Sequence, residues 1–158
     1  MTEQKPIPAS IWSRVVATFF GLGYSPVAPG TAGSAGAVVL YLALYRLHPV
    51  AYLVVAAIVF AVGLRAASAV QRAAGAPDPG LIVIDEVAGY LVTMFLVPHT
   101  AGYIIAGFFI FRFLDIVKPY PAGYFDHKPQ TGFTIMIDDV IAGIYANLAL
   151  QLLRLVLE

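Results

Sequence analysis

Five apolar segments, each about 15 to 20 residues long, occupy most of this 158-residue chain and leave it few folds to adopt. They run over Ala32–Leu47, Pro49–Leu64, Leu81–Val97, His99–Val117 and Ile135–Leu153. A helix needs roughly 17–25 apolar residues to cross the hydrocarbon of a bilayer. Each segment is at or just below that length, and several are expected to continue past the apolar core with polar ends. Composition agrees: 60% of the residues are hydrophobic and 11% charged, where soluble domains carry about 25% charged residues. A soluble helical domain of this size keeps too much surface exposed to hide so many apolar side chains. The chain is therefore read as all-α, a polytopic membrane helical bundle of about five spanning helices, forming a single domain over residues 1–158 with residues 1–9 flexible. Ile11–Phe20 (IWSRVVATFF) is too short to span and is expected to lie at the interface, with Trp12 and Arg14 among the headgroups. The Gly- and Pro-rich loop Gly21–Gly33 cannot be helical throughout.

Charge sets the expected topology. The short connections Arg46–Pro49 and Pro98–Thr100 fall on one side with the C-terminus, together with Arg46 and Arg154. Lys5, Arg14, Arg65, Arg72, Arg112, Lys118 and Lys128 fall on the other. Seven basic residues against two mark the second side as cytoplasmic. A net charge of zero gives no reason to expect a nucleic-acid partner. The absence of cysteine excludes disulfides, thiolate metal sites and a cysteine nucleophile. The opening residues MTEQKPIPAS carry no apolar run and are read as lacking a cleavable signal peptide.

The carboxylates are not scattered. Asp78, Asp85, Glu86, Asp115, Asp126, Asp138 and Asp139 all fall on the cytoplasmic side of this topology. An acid at the start of a helix is explained by the positive end of the helix dipole, which accounts for Asp78 and for single members of the pairs. It accounts less well for adjacent acids opening two separate helices. Those pairs sit in related surroundings: Ile82-Val83-Ile84-Asp85-Glu86-Val87-Ala88-Gly89-Tyr90 echoes Ile135-Met136-Ile137-Asp138-Asp139-Val140-Ile141-Ala142-Gly143-Ile144-Tyr145. Gly89 and Gly143 follow Asp85 and Asp139 by four residues, and small residues let helices approach closely in lipid. Packing through these glycines would collect Asp85, Glu86, Asp138 and Asp139 at one place. Hard cations such as Mg²⁺ take oxygen ligands, typically one or two carboxylates together with substrate phosphate oxygens.

Two further groups point to phosphate. Arg112, Asp115 and Lys118, spaced by three, are expected on one helix face just before Pro119. Arg offers a planar fork suited to phosphate, Lys a point charge; a snorkelling pair with an incidental salt bridge is the plainer alternative. In Pro26-Val27-Ala28-Pro29-Gly30-Thr31-Ala32-Gly33-Ser34, Thr31 is expected to cap the first span, where free backbone N–H groups suit an anion. No Lys follows these glycines, so this is not a P-loop. Asn147 lies at lipid depth and is expected to bond another helix. His48 and His99 lie on the far side; His127 is a lone loop histidine.

With these residues assembled, the chain resembles the phosphatidylglycerophosphatase A family of bacterial membrane lipid phosphatases. The resemblance is carried by Ser25–Ser34, Ile82–Gly89, Phe111–Pro119 with Pro121, and Gly132–Gly143, and it runs from about Phe20 to Leu152. The chain departs from the family pattern in one loop, where His127 follows Asp126 and Thr131-Gly132 stands in place of a glycine pair. The resemblance implies Mg²⁺-dependent hydrolysis of phosphatidylglycerophosphate to phosphatidylglycerol and phosphate in the bacterial inner membrane. The expected catalytic residues are Asp85, Glu86, Asp115, Asp138 and Asp139. Of these, Asp85, Glu86, Asp138 and Asp139 are expected to hold the metal, and Thr31, Ser34, Arg112 and Lys118 the substrate phosphate.

Other chemistries lack their residues. A histidine-nucleophile lipid phosphatase needs a Pro-Ser-Gly-His run and a soluble-type aspartate-nucleophile phosphatase needs Asp-x-Asp; neither occurs. A CDP-alcohol phosphatidyltransferase needs an Asp-Gly-x-x-Ala-Arg signature, which is also absent. A cation channel or transporter would place its carboxylates nearer the midplane. Water activated by the metal is the first choice of nucleophile, and an aspartyl-phosphate through Asp85, Asp115 or Asp138 is the alternative.

Overall fold

The computed structural model describes residues 9–75, 79–126 and 131–157. The expectations for most of residues 1–9, for Asp78 and for His127 fall outside these residues, as does the side chain of Asp126. Among the described residues the chain is helical, without strands: α1 (Ile11–Ala17), a 3₁₀ turn (Leu22–Tyr24), α2 (Pro29–Leu44), α3 (Pro49–Ala74), α4 (Ile84–Thr93), α5 (Ala101–Val117), α6 (Ala122–Asp126) and α7 (Gly132–Leu157). Helices α3 and α7, 26 residues each, are long and apolar enough to cross a membrane, while α2 is apolar but shorter. Large apolar side chains on the outer faces, among them Val39, Leu42, Val54, Ile58, Phe109 and Leu152, stand exposed. So much outward apolar surface suits lipid and not water.

Local chemistry sets the helix ends. Pro29 occupies the first helical position of α2, where its fixed φ suits the helix and no N–H is missed. The cap is therefore Ala28, held at φ 47°, and not Thr31, which lies exposed in the first turn. Pro49 likewise opens α3, whose preceding His48 accepts from the Val50 N–H at 3.3 Å, and Gly75 closes it at φ 64°. Helix α1 stops at Ala17, short of the expected Phe20, because Phe19, Phe20 and Gly21 all take positive φ. It packs against α3 with Trp12 and Arg14 exposed.

The third apolar segment departs most from expectation. Only Ile84–Thr93 is helical, ten residues, about 15 Å at 1.5 Å per residue against a hydrocarbon core of roughly 30 Å. The non-helical ends survive because the protein surrounds them and satisfies their polar groups. On the incoming side the Val83 N–H donates to the Ala17 carbonyl at 2.8 Å. On the outgoing side the Asn147 amide donates to the carbonyls of Thr93 and Phe95 at 2.9 and 2.7 Å, and the Gln151 amide to Leu96 at 3.2 Å. The Tyr52 hydroxyl donates to the Leu91 carbonyl at 2.7 Å. Asn147 thus bonds another helix, as expected, and it does so at the point where that helix stops.

Helix α4 is the centre of the bundle, with Val87, Tyr90 and Leu91 fully buried and α2, α3, α5 and α7 around it. Its closest approach is to α7. A methyl added at Gly89 would lie 2.6 Å from the Asp139 carbonyl oxygen, and one added at Gly143 would lie 3.2 Å from Gly89 Cα. The two glycines of the internal echo do meet. The α2–α3 and α4–α5 connections share the opposite end, where the Tyr45 and His99 rings stand 5.0 Å apart.

Candidate active site

Four elements bring polar groups to the end of the bundle remote from those connections. Helix α4 begins there and carries Asp85 and Glu86 in its first turn. Helix α7 passes alongside with Asp138 and Asp139 buried. Helix α5 arrives with Arg112 and Asp115 in its last turns, and α2 begins beside them.

Asp85, Glu86 and Asp139 each present a carboxylate oxygen within 4.8 Å of the other two. Two like charges about 5 Å apart repel by roughly 3 kcal/mol at an effective dielectric of about 20. Some of this is answered by Arg112, whose Nη1 lies 3.5 Å from Glu86 Oε1 and also pairs with Asp115. Asp85 Oδ1, Glu86 Oε2 and Asp139 Oδ2 are nevertheless buried without a hydrogen-bond partner. Buried polar atoms are normally satisfied, and each acid of the trio leaves one oxygen unanswered. Three carboxylates this close, each with an unanswered oxygen, offer an all-oxygen donor set of the kind that hard divalent cations take. The residues present therefore fit Mg²⁺.

The second expected acid pair is divided. Asp139 faces Asp85 and Glu86, whereas Asp138 accepts from Lys118 Nζ at 2.6 Å and its Oδ1 accepts from the Asp139 N–H at 3.0 Å. Adjacent residues on a helix point about 100° apart, so one of the pair turns to α4 and the other to the end of α5. Lys118 itself is not on the helical face expected for it. Helix α5 ends at Val117, and Lys118 caps it at φ 47°, its N–H donating to the Leu114 carbonyl at 2.8 Å. A residue before proline disfavours the α region, so Pro119 ends the helix one residue early and turns Lys118 towards α7. Asp115 stays on the Arg112 face and is buried.

The expected phosphate-binding residues of α2 have different surroundings. Thr31 is exposed beside the site, while Ser34 is fully buried and donates its hydroxyl to the Gly30 carbonyl at 2.9 Å. Gly30 is a site residue that the sequence reading passed over. A methyl there would stand 3.0 Å from both terminal nitrogens of Arg112 and closer still to Glu86 Oε1. The Pro-Gly step at the helix start was the available signal, since a backbone entering at Pro29 brings the next residue up against whatever the helix end faces.

A family model described as phosphatidylglycerophosphatase A matches residues 15–154. The chain belongs to the phosphatidylglycerophosphatase A family. A phosphatidylglycerophosphatase A of Haemophilus influenzae is 39% identical over 151 residues, covering 92% of this chain and 93% of the relative. A Bacteroides thetaiotaomicron protein, provisionally described as a phosphatidylinositol-3-phosphatase, is 38% identical over 152 residues, covering 90% and 94%. The phosphatidylglycerophosphatase A of Escherichia coli is 36% identical over 132 residues, covering 83% and 77%. No solved structure matches. Family membership makes the chain an enzyme of the phosphoric monoester hydrolase class, and the matched span contains every acid and cation of the cluster.

Proposed function

We propose that this chain hydrolyses phosphatidylglycerophosphate to phosphatidylglycerol and inorganic phosphate, with Mg²⁺ held by Asp85, Glu86 and Asp139. The observation that carries this reading is the trio of carboxylates with one unanswered buried oxygen each, beside Arg112. Mg²⁺ bound there would supply positive charge to the phosphate oxygens and acidify a water. Arg112 stands beside Glu86 and offers its guanidinium to the phosphoryl oxygens, where developing charge is best stabilised by fixed donors. Asp115 holds that guanidinium in place. Lys118, positioned by Asp138, adds a second cation at the rim. Thr31 offers an exposed hydroxyl in the first turn of α2. Water adds to phosphorus, the P–O bond to the glycerol oxygen breaks, and that oxygen leaves with a proton.

All five apolar segments cross the bilayer in this reading, α4 and its extended flanks forming the third crossing inside the protein. The seven-to-two bias of basic residues supports a cytoplasmic placement of the site, in the inner membrane. The substrate keeps its acyl chains in lipid while its phosphomonoester waits at headgroup depth. Two of the named relatives carry the phosphatidylglycerophosphate activity in their descriptions and one carries an inositol lipid. Purified protein in Mg²⁺ should release inorganic phosphate from phosphatidylglycerophosphate much faster than from phosphatidylinositol 3-phosphate. A reversed preference would move the assignment to the inositol lipid, and no release from either would end it.

A further inference from the structure

The bundle has an apolar groove between α2 and α5, lined by Ala35, Val38, Ile104, Ile105, Phe108 and Phe109 and holding about 260 Å³. It opens outward, where Ile105 and Phe109 are exposed. These two antiparallel helices also carry the phosphate-facing groups at their upper ends. Ala35 and Val38 lie four and seven residues after Thr31, and Phe108 and Ile105 lie four and seven residues before Arg112. Residues at these spacings share a helix face, so Thr31 and Arg112 stand one turn above the groove on the faces that line it. Gly30 against Arg112 closes the top.

We propose that this groove receives an acyl chain of the lipid phosphate whose headgroup Arg112 and Thr31 hold, making the α2–α5 gap the lateral entrance to the site. The proposal rests on the lipid-phosphatase reading. Its volume is a little below a small-molecule pocket of roughly 300–1,000 Å³, room for part of one chain and not a whole lipid. A second apolar groove, among Tyr52, Leu53, Leu91, Phe95, Ile144 and Leu148, lies between α3 and α7. It is cut off from the acids, because α3 and α7 close on each other near the site: a methyl at Gly132 would lie 2.6 Å from the Ser68 nitrogen, and one at Gly63 would lie 2.9 Å from Met136 Cε. Helix α1 packs on α3, and among the described residues Ile105 and Phe109 at the mouth of the α2–α5 groove stay exposed.

The test uses the full-length protein in phosphatidylcholine vesicles with two photoreactive lipids, each bearing a diazirine midway along one acyl chain. One is a long-chain phosphatidylglycerophosphate and the other a phosphatidylcholine. The phosphomonoester lipid should label Ile105 and Phe109 about tenfold more than the choline lipid does, and unlabelled phosphatidylglycerophosphate should compete. Equal labelling by both lipids would reduce the groove to ordinary lipid contact and overturn the proposal, as would preferential labelling at Leu53 or Leu148. In Ala35→Trp, which fills the groove, labelling should fall and KM for the dioleoyl substrate should rise about tenfold, the effect of displacing two buried methylenes, with a smaller change in kcat. An unchanged KM and unchanged labelling would overturn it as well. Because labelling reads binding and not turnover, selective labelling without phosphate release would sink the phosphatase reading and leave the groove standing.

Discussion

Gly30 has no room for a side chain, because α2 begins against Glu86 and Arg112. In Gly30→Ala the methyl would press on the far ends of both side chains, which must swing aside and so leave the positions in which they pair. A displacement of about 1 Å in a positioned catalytic group costs on the order of 10²-fold in rate. Gly30→Ala should therefore lower kcat/KM by about that much while the melting temperature moves little; unimpaired turnover would place Gly30 outside the site. Thr31, one residue on, is exposed, and Thr31→Ala should cost far less. At this scale the sequence was informative about residue types and less so about their partners. The acid pairs, Arg112 and Asp115 could be read from their clustering and spacing. The division of Asp138 from Asp139 could not, because it depends on how α7 is rotated against α4, and Lys118 depended on a left-handed cap before Pro119.

The element that most shapes the site is the short helix α4. Its early stop leaves backbone carbonyls without a helical partner, and Asn147 answers two of them. Asn147→Leu removes both donors. A buried carbonyl left without a partner costs about 1–3 kcal/mol, so this variant should unfold at a clearly lower temperature or detergent dose, with KM unchanged because Asn147 is remote from the acids. A variant as stable as the parent would show that the α4 end is satisfied in another way. Sequence located five apolar segments but not the break in the third, because Leu81–Val97 is apolar throughout and hydropathy does not distinguish a helix from an extended stretch wrapped in protein. The close packing of Gly89 and Gly143 was legible, since two glycines at matching distances from acids predict a close approach.

At the scale of the whole molecule, the helices alternate in direction so that every acid and cation of the cluster meets at one end, with the α2–α3 and α4–α5 connections at the other. The chain contains no cysteine, so single cysteines can report sidedness. In intact cells an impermeant thiol reagent should label Thr100→Cys and spare Arg72→Cys, both exposed positions. The opposite pattern would reverse the topology and put the site on the outer face. The arrangement of helices followed from segment order alone; sidedness rests on the distribution of basic residues.

In the proposed function the carboxylate trio works through a divalent ion on a lipid phosphate. Phosphate release from phosphatidylglycerophosphate, measured on purified protein after chelation and again after adding Mg²⁺, tests it most directly when wild type is set beside Asp139→Asn. Wild type should fall to background with chelator and recover with Mg²⁺. Asp139→Asn should stay more than about 10²-fold below wild type at saturating Mg²⁺, beyond the 10–100-fold loss typical of a group that only supports a metal ligand. Turnover that persists through chelation, or an Asp139→Asn protein that matches wild type, would contradict the account.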